Sequence, residues 1–175
     1  MKKWILIAAA LLTGIAAQAQ PNRYYVGGNI SFGASNYGTS IVVYPEVGSR
    51  IANNLYLGLA AGFDWNNYSK RSNFTMGLIP HLRGYLPLYE RFGLSGDLYF
   101  SSRWTRREGE DPLITTLTLG FRPGLYFPIG NVTLSTQIGF FGWSKAWSGN
   151  NVASPPSWQA RLEARDILIG VLFNL

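Results

Sequence analysis

The chain has 175 residues, of which 47% are hydrophobic, 15% aromatic and 14% charged, and its formal net charge is +6. Average domains carry about 25% charged residues, and a disordered chain needs few apolar residues and many uncompensated charges, so this composition excludes disorder. The sequence contains no cysteine, which excludes a disulfide scaffold, a thiolate metal site, a cysteine nucleophile and a lipid anchor attached through cysteine.

The N-terminal segment has the pattern of an export signal. Lys2 and Lys3 precede an apolar stretch at about 4–15, and Ala17-Gln18-Ala19 matches a signal-peptidase site. The apolar stretch is shorter than the ~20 residues that cross a bilayer as a helix. This length favours a cleaved signal peptide over a membrane anchor.

We therefore predict a signal peptide at 1–19 and one exported domain at 20–175. Cleavage leaves 13 basic against nine acidic residues, and part of this modest excess lies in predicted loops. Such a distribution does not resemble the basic stripe of a nucleic-acid-binding protein, so no nucleic-acid partner is expected.

After the signal, hydrophobicity alternates with a period of two residues. In one segment, for example, Leu55, Leu57 and Leu59 lie on one face of a strand, whereas Tyr56 and Gly58 lie on the other. No later stretch has about 18 consecutive apolar residues, so no membrane-spanning helix is expected. We predict eight strands, at about 23–33, 40–48, 55–65, 73–86, 91–103, 113–127, 131–143 and 157–175.

The connections between these strands alternate in length. Short ones with turn residues lie near 49–54, 87–90 and 128–130, longer polar ones lie near 66–72, 103–112 and 144–156, and the one at 34–39 is intermediate. Eight strands of about ten residues, with short turns at one end and longer loops at the other, are typical of an outer-membrane barrel. The predicted fold class is all-β, an eight-stranded antiparallel up-and-down transmembrane β-barrel.

The two faces of the strands decide between a membrane barrel and soluble alternatives. A secreted β-sandwich or a lipocalin-type carrier would bury the face of Leu, Ile, Val and Phe and expose the other face, which is rich in glycine and other small residues. Glycine is a poor choice for an exposed strand surface, and an eight-stranded barrel has little room inside. We therefore place the small and charged face in the lumen and the apolar face against lipid.

Five residues of the lumenal face are predicted to form a polar network. Buried charges persist only when they are paired, so salt bridges across the lumen are expected. The network could be a purely structural plug, a gate over a narrow ion path or part of a binding site. Its predicted members are Glu46, Arg83, Asp97, Arg122 and His81.

Aromatic residues concentrate at the two ends of the predicted strands. Amphipathic rings favour the interface between hydrocarbon and head groups, so we predict two aromatic girdles. The girdle at the loop end consists of Trp65, Trp104, Trp143, Trp147 and Trp158. The girdle at the short-turn end contains Tyr24, Tyr25, Tyr85, Tyr89, Phe92, Tyr126, Phe127 and Phe173.

Three prolines fall inside predicted strands, although a closed barrel has no edge at which a missing N–H is harmless. Pro45, Pro80 and Pro123 each lie several residues before a short turn, in the apolar register. We predict a bulge or locally broken pairing at each proline. A further bulge at about 164–166 is expected, because the apolar register of the last strand changes parity there.

The mature chain resembles the small outer-membrane β-barrel family typified by OmpA and OmpX. The resemblance rests on Pro45-Glu-Val-Gly48, on the glycine-rich hairpins and on the alternating C-terminal Val171-Leu-Phe-Asn-Leu175. It implies insertion by the barrel-assembly machinery, which reads the last strand. In that family an aromatic usually closes this strand, whereas here Leu175 is last and Phe173 stands two residues before it.

His81 is the sole histidine in the sequence, so any histidine-dependent catalysis must use it. Similar barrels that act on lipid A pair a histidine with a serine, and such groups need access to lipid. The deacylase pattern of His and Ser two residues apart is missing, because His81-Leu82-Arg83 has arginine at that place. Nothing near His81 has zinc-ligand spacing, so neither a metal nor a cofactor is expected.

The sequence thus predicts an exported, monomeric, non-enzymatic barrel in a bacterial outer membrane, with a structural or surface-interaction role and a filled lumen rather than a porin channel. An enzyme acting on membrane lipid is the alternative, followed by a secreted lipocalin-type carrier. The predicted loop at 103–112 holds three arginines and three acids. Since arginine binds phosphates bidentately, contact with lipopolysaccharide head groups is a further hypothesis.

Overall fold

The structure is a computed structural model that describes residues 24–35, 38–68, 71–109, 113–149, 151–161 and 168–175. The predicted signal peptide at 1–19, the domain boundary at residue 20 and the predicted bulge at 164–166 lie outside these residues. Within the described ranges, no helix is long and apolar enough to cross a bilayer.

The described chain folds into ten β-strands. They are β1 (Tyr24–Ser35), β2 (Gly38–Ala52), β3 (Leu55–Tyr68), β4 (Arg71–Tyr89), β5 (Phe92–Arg107), β6 (Ile114–Ile129), β7 (Val132–Gln137), β8 (Phe140–Ser148), β9 (Asn151–Arg161) and β10 (Leu168–Asn174). The first six strands pair in chain order, and β6 then pairs with both β7 and β8. β10 pairs with β7 on one side and with β1 on the other.

These antiparallel pairings close a ring. β7 and β8 are the lower and upper parts of the seventh strand of the barrel, and β9 and β10 belong to the eighth, with β9 pairing to β8. The predicted closed, eight-stranded antiparallel barrel is therefore confirmed.

Side-chain burial shows which face of the wall is inside. Leu57, Leu119 and Ile169 are 36%, 51% and 62% exposed on the outside, whereas Arg83 and Asp97 are 2% and 1% exposed in the lumen. A soluble barrel or sandwich requires the reverse arrangement, because water solvates charges and expels apolar side chains. The apolar face therefore points outward along the whole ring, as expected of a barrel that lipid surrounds.

Each of the three prolines interrupts the ladder on one side of its strand. Each keeps its register with the preceding strand, as in the pairs Gly28↔Pro45, Leu59↔Pro80 and Gly96↔Pro123. Pairing with the following strand lapses at residues 44–45 of β2 and 79–80 of β4, without a change of register.

At Pro123 the ladder contains a bulge. Between the pairs Gly124↔Gln137 and Phe121↔Phe141, two residues of β6 face three residues of the seventh strand, and the N–H of Ile138 donates to the carbonyl of Pro123 over 3.0 Å. The prediction of broken or bulged pairing at the prolines is confirmed, and the cause is the N–H that proline lacks.

The strands at the loop end are longer than predicted. The segments 66–72 and 144–156 were expected to be loops, yet β3 runs to Tyr68, β4 begins at Arg71, β8 runs to Ser148 and β9 begins at Asn151. The prediction failed because it followed apolar alternation, whereas a backbone ladder continues through polar residues, as in the pair Asn67↔Ser72. At the other end the turns are short as predicted, and Asn54 and Gly130 both adopt φ 59° there, a conformation that asparagine and glycine tolerate best.

Candidate functional site: the barrel lumen

The short-turn end of the lumen is closed by tyrosines. The ring of Tyr56 contacts Tyr25 and Tyr85 edge-on at centroid distances of 5.8 and 5.3 Å, and Tyr85 contacts Tyr126 at 4.5 Å. The prediction that Tyr25, Tyr85 and Tyr126 belong to an outer girdle is therefore wrong. Their position in the alternation places them on the lumenal face, and proximity to a turn does not change that face.

Arg83 lies at the centre of the lumen above these tyrosines. Its Nη1 and Nη2 donate to the two carboxylate oxygens of Glu46 over 2.7 and 3.3 Å. Its Nε and Nη2 donate to the two oxygens of Asp97 over 2.8 and 2.9 Å. One guanidinium thus holds two carboxylates bidentately, the geometry in which arginine binds carboxylates most strongly.

Two amides complete the solvation of these carboxylates. Gln137 Nε2 donates to Asp97 Oδ2 over 2.8 Å, and Asn29 Nδ2 donates to Glu46 Oε2 over 3.2 Å. Glu46, Asp97 and both amide residues are buried. Because burying a charge costs several kcal/mol unless its hydrogen bonds are replaced, these contacts explain how the network persists inside the barrel.

His81 lies beside this network and is 3% exposed. Its Nε2 is 3.0 Å from the hydroxyl of Tyr25 and 3.9 Å from Glu46 Oε2, and its Nδ1 is 3.3 Å from the carbonyl of Ile79. The tautomer that carries its proton on Nδ1 satisfies both nitrogens, since Nδ1 then donates to the carbonyl and Nε2 accepts from Tyr25. The side chain is enclosed by the wall and does not reach the lipid-facing surface.

Arg122 lies higher and is held differently. Its guanidinium carbon is 4.1 Å from the centroid of the Tyr99 ring, a cation–π contact, and its Nη2 is 3.9 Å from Asp97 Oδ2. The structure thus brings all five predicted lumen residues to the interior, with Glu46, Arg83 and Asp97 in direct contact. Among the residues that the structure describes, no group of three His, Cys, Asp or Glu side chains could hold a metal ion.

A second ion pair lies nearer the loop end. Arg103 Nη1 is 3.3 Å from Asp64 Oδ2, and its guanidinium carbon is 5.7 Å from the centroid of the Tyr44 ring. Arg103 was predicted as the boundary between the fifth strand and the loop that follows it, whereas β5 continues to Arg107. Arg103, like Asp97 and Tyr99, is an odd-numbered residue of β5 and therefore faces the lumen. Extending the alternating pattern beyond the apolar segment would have predicted this.

The five tryptophans lie in the strands near the loop end. Trp143 pairs with Trp158, while Trp104 and Trp147 pair with the same residue of β6. Trp158 is 71% exposed, and Trp65 Nε1 donates to Ser72 Oγ over 3.1 Å. That they form a girdle at a membrane interface stays a prediction.

Two cavities flank the charge network. The upper one, of about 470 Å³, reaches from Glu46 and Arg122 to Gln159 near the loop end. The lower one, of about 170 Å³, lies among Tyr25, Tyr85 and the short turns. The Arg83 network therefore fills the middle of the lumen, the tyrosines enclose a small cavity below it, and the upper lumen is hollow.

A closed ring, an exposed apolar wall and a charged lumen define the class of protein: an eight-stranded barrel of the transmembrane type. The sequence matches no protein-family model and no curated protein. Among solved structures, the chain is similar to the crystal structure of Neisserial surface protein A, with 16% identity and a TM-score of 0.45 over 90% of this chain and 100% of that one.

A second similar structure is the solution NMR structure of the de novo designed TMB2.3, with 16% identity and a TM-score of 0.35 over 90% of this chain and 98% of that one. The class assigned above depends on the pairing and burial of this chain and not on either likeness.

Proposed function

We propose that this protein is an integral outer-membrane barrel, exported by its signal peptide, that has a structural or surface-interaction role and no catalytic activity. The observation that carries the proposal is the inverted burial of the wall. In the part of the chain that the structure describes, thirty large hydrophobic side chains are exposed, while the lumen holds Glu46, Arg83 and Asp97. Exposing such an apolar outer surface to water is unfavourable, whereas lipid acyl chains are a favourable environment for it.

The two ends of the barrel support an orientation. We place the short turns in the periplasm and the loop end outside, as in other outer-membrane barrels. Arg106 and Arg107 are exposed at the loop end of β5, where they can meet the phosphates of lipopolysaccharide. The barrel-assembly machinery is the expected partner during insertion. The closed ring supports a monomer, because β1 to β7 and β10 are each paired on both sides by strands of the same chain.

The non-enzymatic role is supported by the surroundings of His81. A hydrolase or acyltransferase needs its histidine within hydrogen-bonding reach of a nucleophile and of the substrate. Here the ring nitrogens face Tyr25 and a backbone carbonyl inside the barrel. No observation on the described residues favours catalysis on lipid.

Detergent extraction and gel mobility test the membrane proposal. Membranes from cells expressing the full chain are washed with alkaline carbonate, extracted with detergent and run on a gel with and without boiling. We expect the protein to resist the wash and to migrate differently before and after boiling, because a closed barrel keeps its fold in detergent until heated. Release by the wash, or a single mobility, would contradict the proposal.

Planar-bilayer recording tests the filled lumen. The wild type is expected to give no sustained conductance, because the Arg83 network and the tyrosines fill the section that ions must cross. Glu46→Gln keeps the shape of that side chain and removes its charge, and it should leave this closed state unchanged if the network is structural. A reproducible rise in conductance would instead make the network a gate.

A further inference from the structure

The upper cavity has the composition of a ligand site. Its volume of about 470 Å³ falls within the range of small-molecule pockets, roughly 300–1,000 Å³. Its apolar lining comes from the core cluster that contains Ile79, Tyr99 and Phe140, and its polar lining includes Arg103 and Arg122. An apolar surface with a few converging polar groups is what orients a small amphipathic molecule.

Arg122 is the charged group that this cavity leaves least satisfied. Its side chain is 11% exposed, and in the described part of the chain its one ion pair, to Asp97 at 3.9 Å, is longer than a hydrogen bond. Asp97 is already occupied, since it accepts from Arg83 and Gln137 at 2.8–2.9 Å. Among the described residues, the Nε of Arg122 is buried and has no hydrogen-bond partner, and leaving a buried charged donor unpaired is unfavourable.

Arg103 lies higher in the same cavity. Its side chain is 37% exposed and is paired with Asp64. The other oxygen of Asp64, Oδ1, is buried and accepts no hydrogen bond within the described residues. A positive charge at this level attracts anions toward the deeper Arg122. Because Asp64 and Glu46 also line the cavity, a doubly charged anion would be repelled more than a singly charged one.

We propose that the upper cavity binds a small organic carboxylate with one negative charge and an apolar body. The carboxylate accepts hydrogen bonds from Arg122, and the apolar body packs against Tyr99, Phe140 and Ile79. The ligand enters from the loop end, since the Arg83 network closes the cavity below.

Fluorine NMR on the detergent-solubilised full chain tests this site. The probe is 4-fluorobenzoate, and 4-fluorobenzamide is its uncharged counterpart of nearly equal shape. We expect the fluorine resonance of the benzoate to shift saturably with the protein, beyond any shift in micelles without protein. We expect the benzamide to bind at least tenfold more weakly. No saturable shift, or equal binding of the two probes, would overturn the proposal.

Matched arginine variants locate the site. Arg122→Gln should weaken benzoate binding at least tenfold, because it removes the cation that meets the carboxylate. Arg103→Gln should also weaken it, because Asp64 is then left uncompensated beside the anion. Arg91→Gln, in an exposed turn at the opposite end, should bind as the wild type does. Unchanged binding in both cavity variants would place the probe elsewhere and refute the site. If the unboiled Arg122→Gln variant does not migrate on the gel as a folded barrel, the benzoate affinity of Arg103→Gln decides whether the site is correct.

Discussion

Replacing Arg83 by methionine should strongly destabilise the barrel. The Arg83 guanidinium donates four hydrogen bonds to Glu46 and Asp97 at 2.7–3.3 Å. At about 1.5–3 kcal/mol for each bond to a charged group, their gross loss is roughly 6–12 kcal/mol. The variant no longer has to desolvate Arg83, which returns several kcal/mol. The expected loss in the free energy of unfolding is therefore about 3–5 kcal/mol, as for other buried pairs from which one partner is removed.

Urea unfolding in detergent micelles or lipid vesicles, followed by tryptophan fluorescence, measures this free energy. Arg91→Met is the matched control, because Arg91 is exposed in a turn, and it should change stability by no more than about 0.5 kcal/mol. The triple variant Glu46→Gln/Arg83→Met/Asp97→Asn should be more stable than Arg83→Met alone, since neutral amides cost less to bury than unpaired carboxylates. An Arg83→Met barrel within about 1 kcal/mol of the wild type, or a triple variant no better than the single one, would refute the reasoning.

Two further substitutions probe the two faces of the wall by the same unfolding measurement. Leu119→Arg places a charge on the outer face, where Leu119 is 51% exposed, and should cost about 2–4 kcal/mol near mid-membrane, whereas Leu113→Arg, just before β6, should cost about 0–1 kcal/mol. Equal costs at the two positions would mean that lipid does not surround Leu119. Gly58→Ala directs a methyl group at the Tyr25 hydroxyl and His81 Nε2 and should cost about 1–3 kcal/mol. Gly84→Ala, whose nearest contact would be the Gly96 carbonyl oxygen at 4.0 Å, should be nearly neutral, and the prediction fails if the two alanines behave alike.

The alternation of side chains was sufficient to predict which residues face the lumen. It placed Glu46, Arg83 and Asp97 inside because a strand has only two faces, and one of them carries the large apolar residues. What it could not give is which charges pair. Gln137 donates to Asp97, and Asn29 donates to Glu46, only because the strands are shifted along one another by a particular amount around the ring. That shift cannot be derived from a single sequence.

The errors at the loop end have a common physical origin. Apolar alternation predicts strands that end near residues 65, 103 and 143, whereas β3, β5 and β8 run to Tyr68, Arg107 and Ser148. Hydrogen bonds between backbone groups hold an antiparallel pair together whether its side chains are apolar or polar. The girdle assignment of Tyr85 and Tyr126 has a different cause. It used their height along the barrel and not their parity, which places them on the lumenal face.

The upper lumen is hollow and the Arg83 network closes it below, so its cavity opens only toward the loop end. A molecule bound at Arg122 has to leave through the loop end by which it entered, because the Arg83 network and the tyrosines block the path to the short-turn end. The rate at which such a molecule leaves therefore depends on the loop end alone.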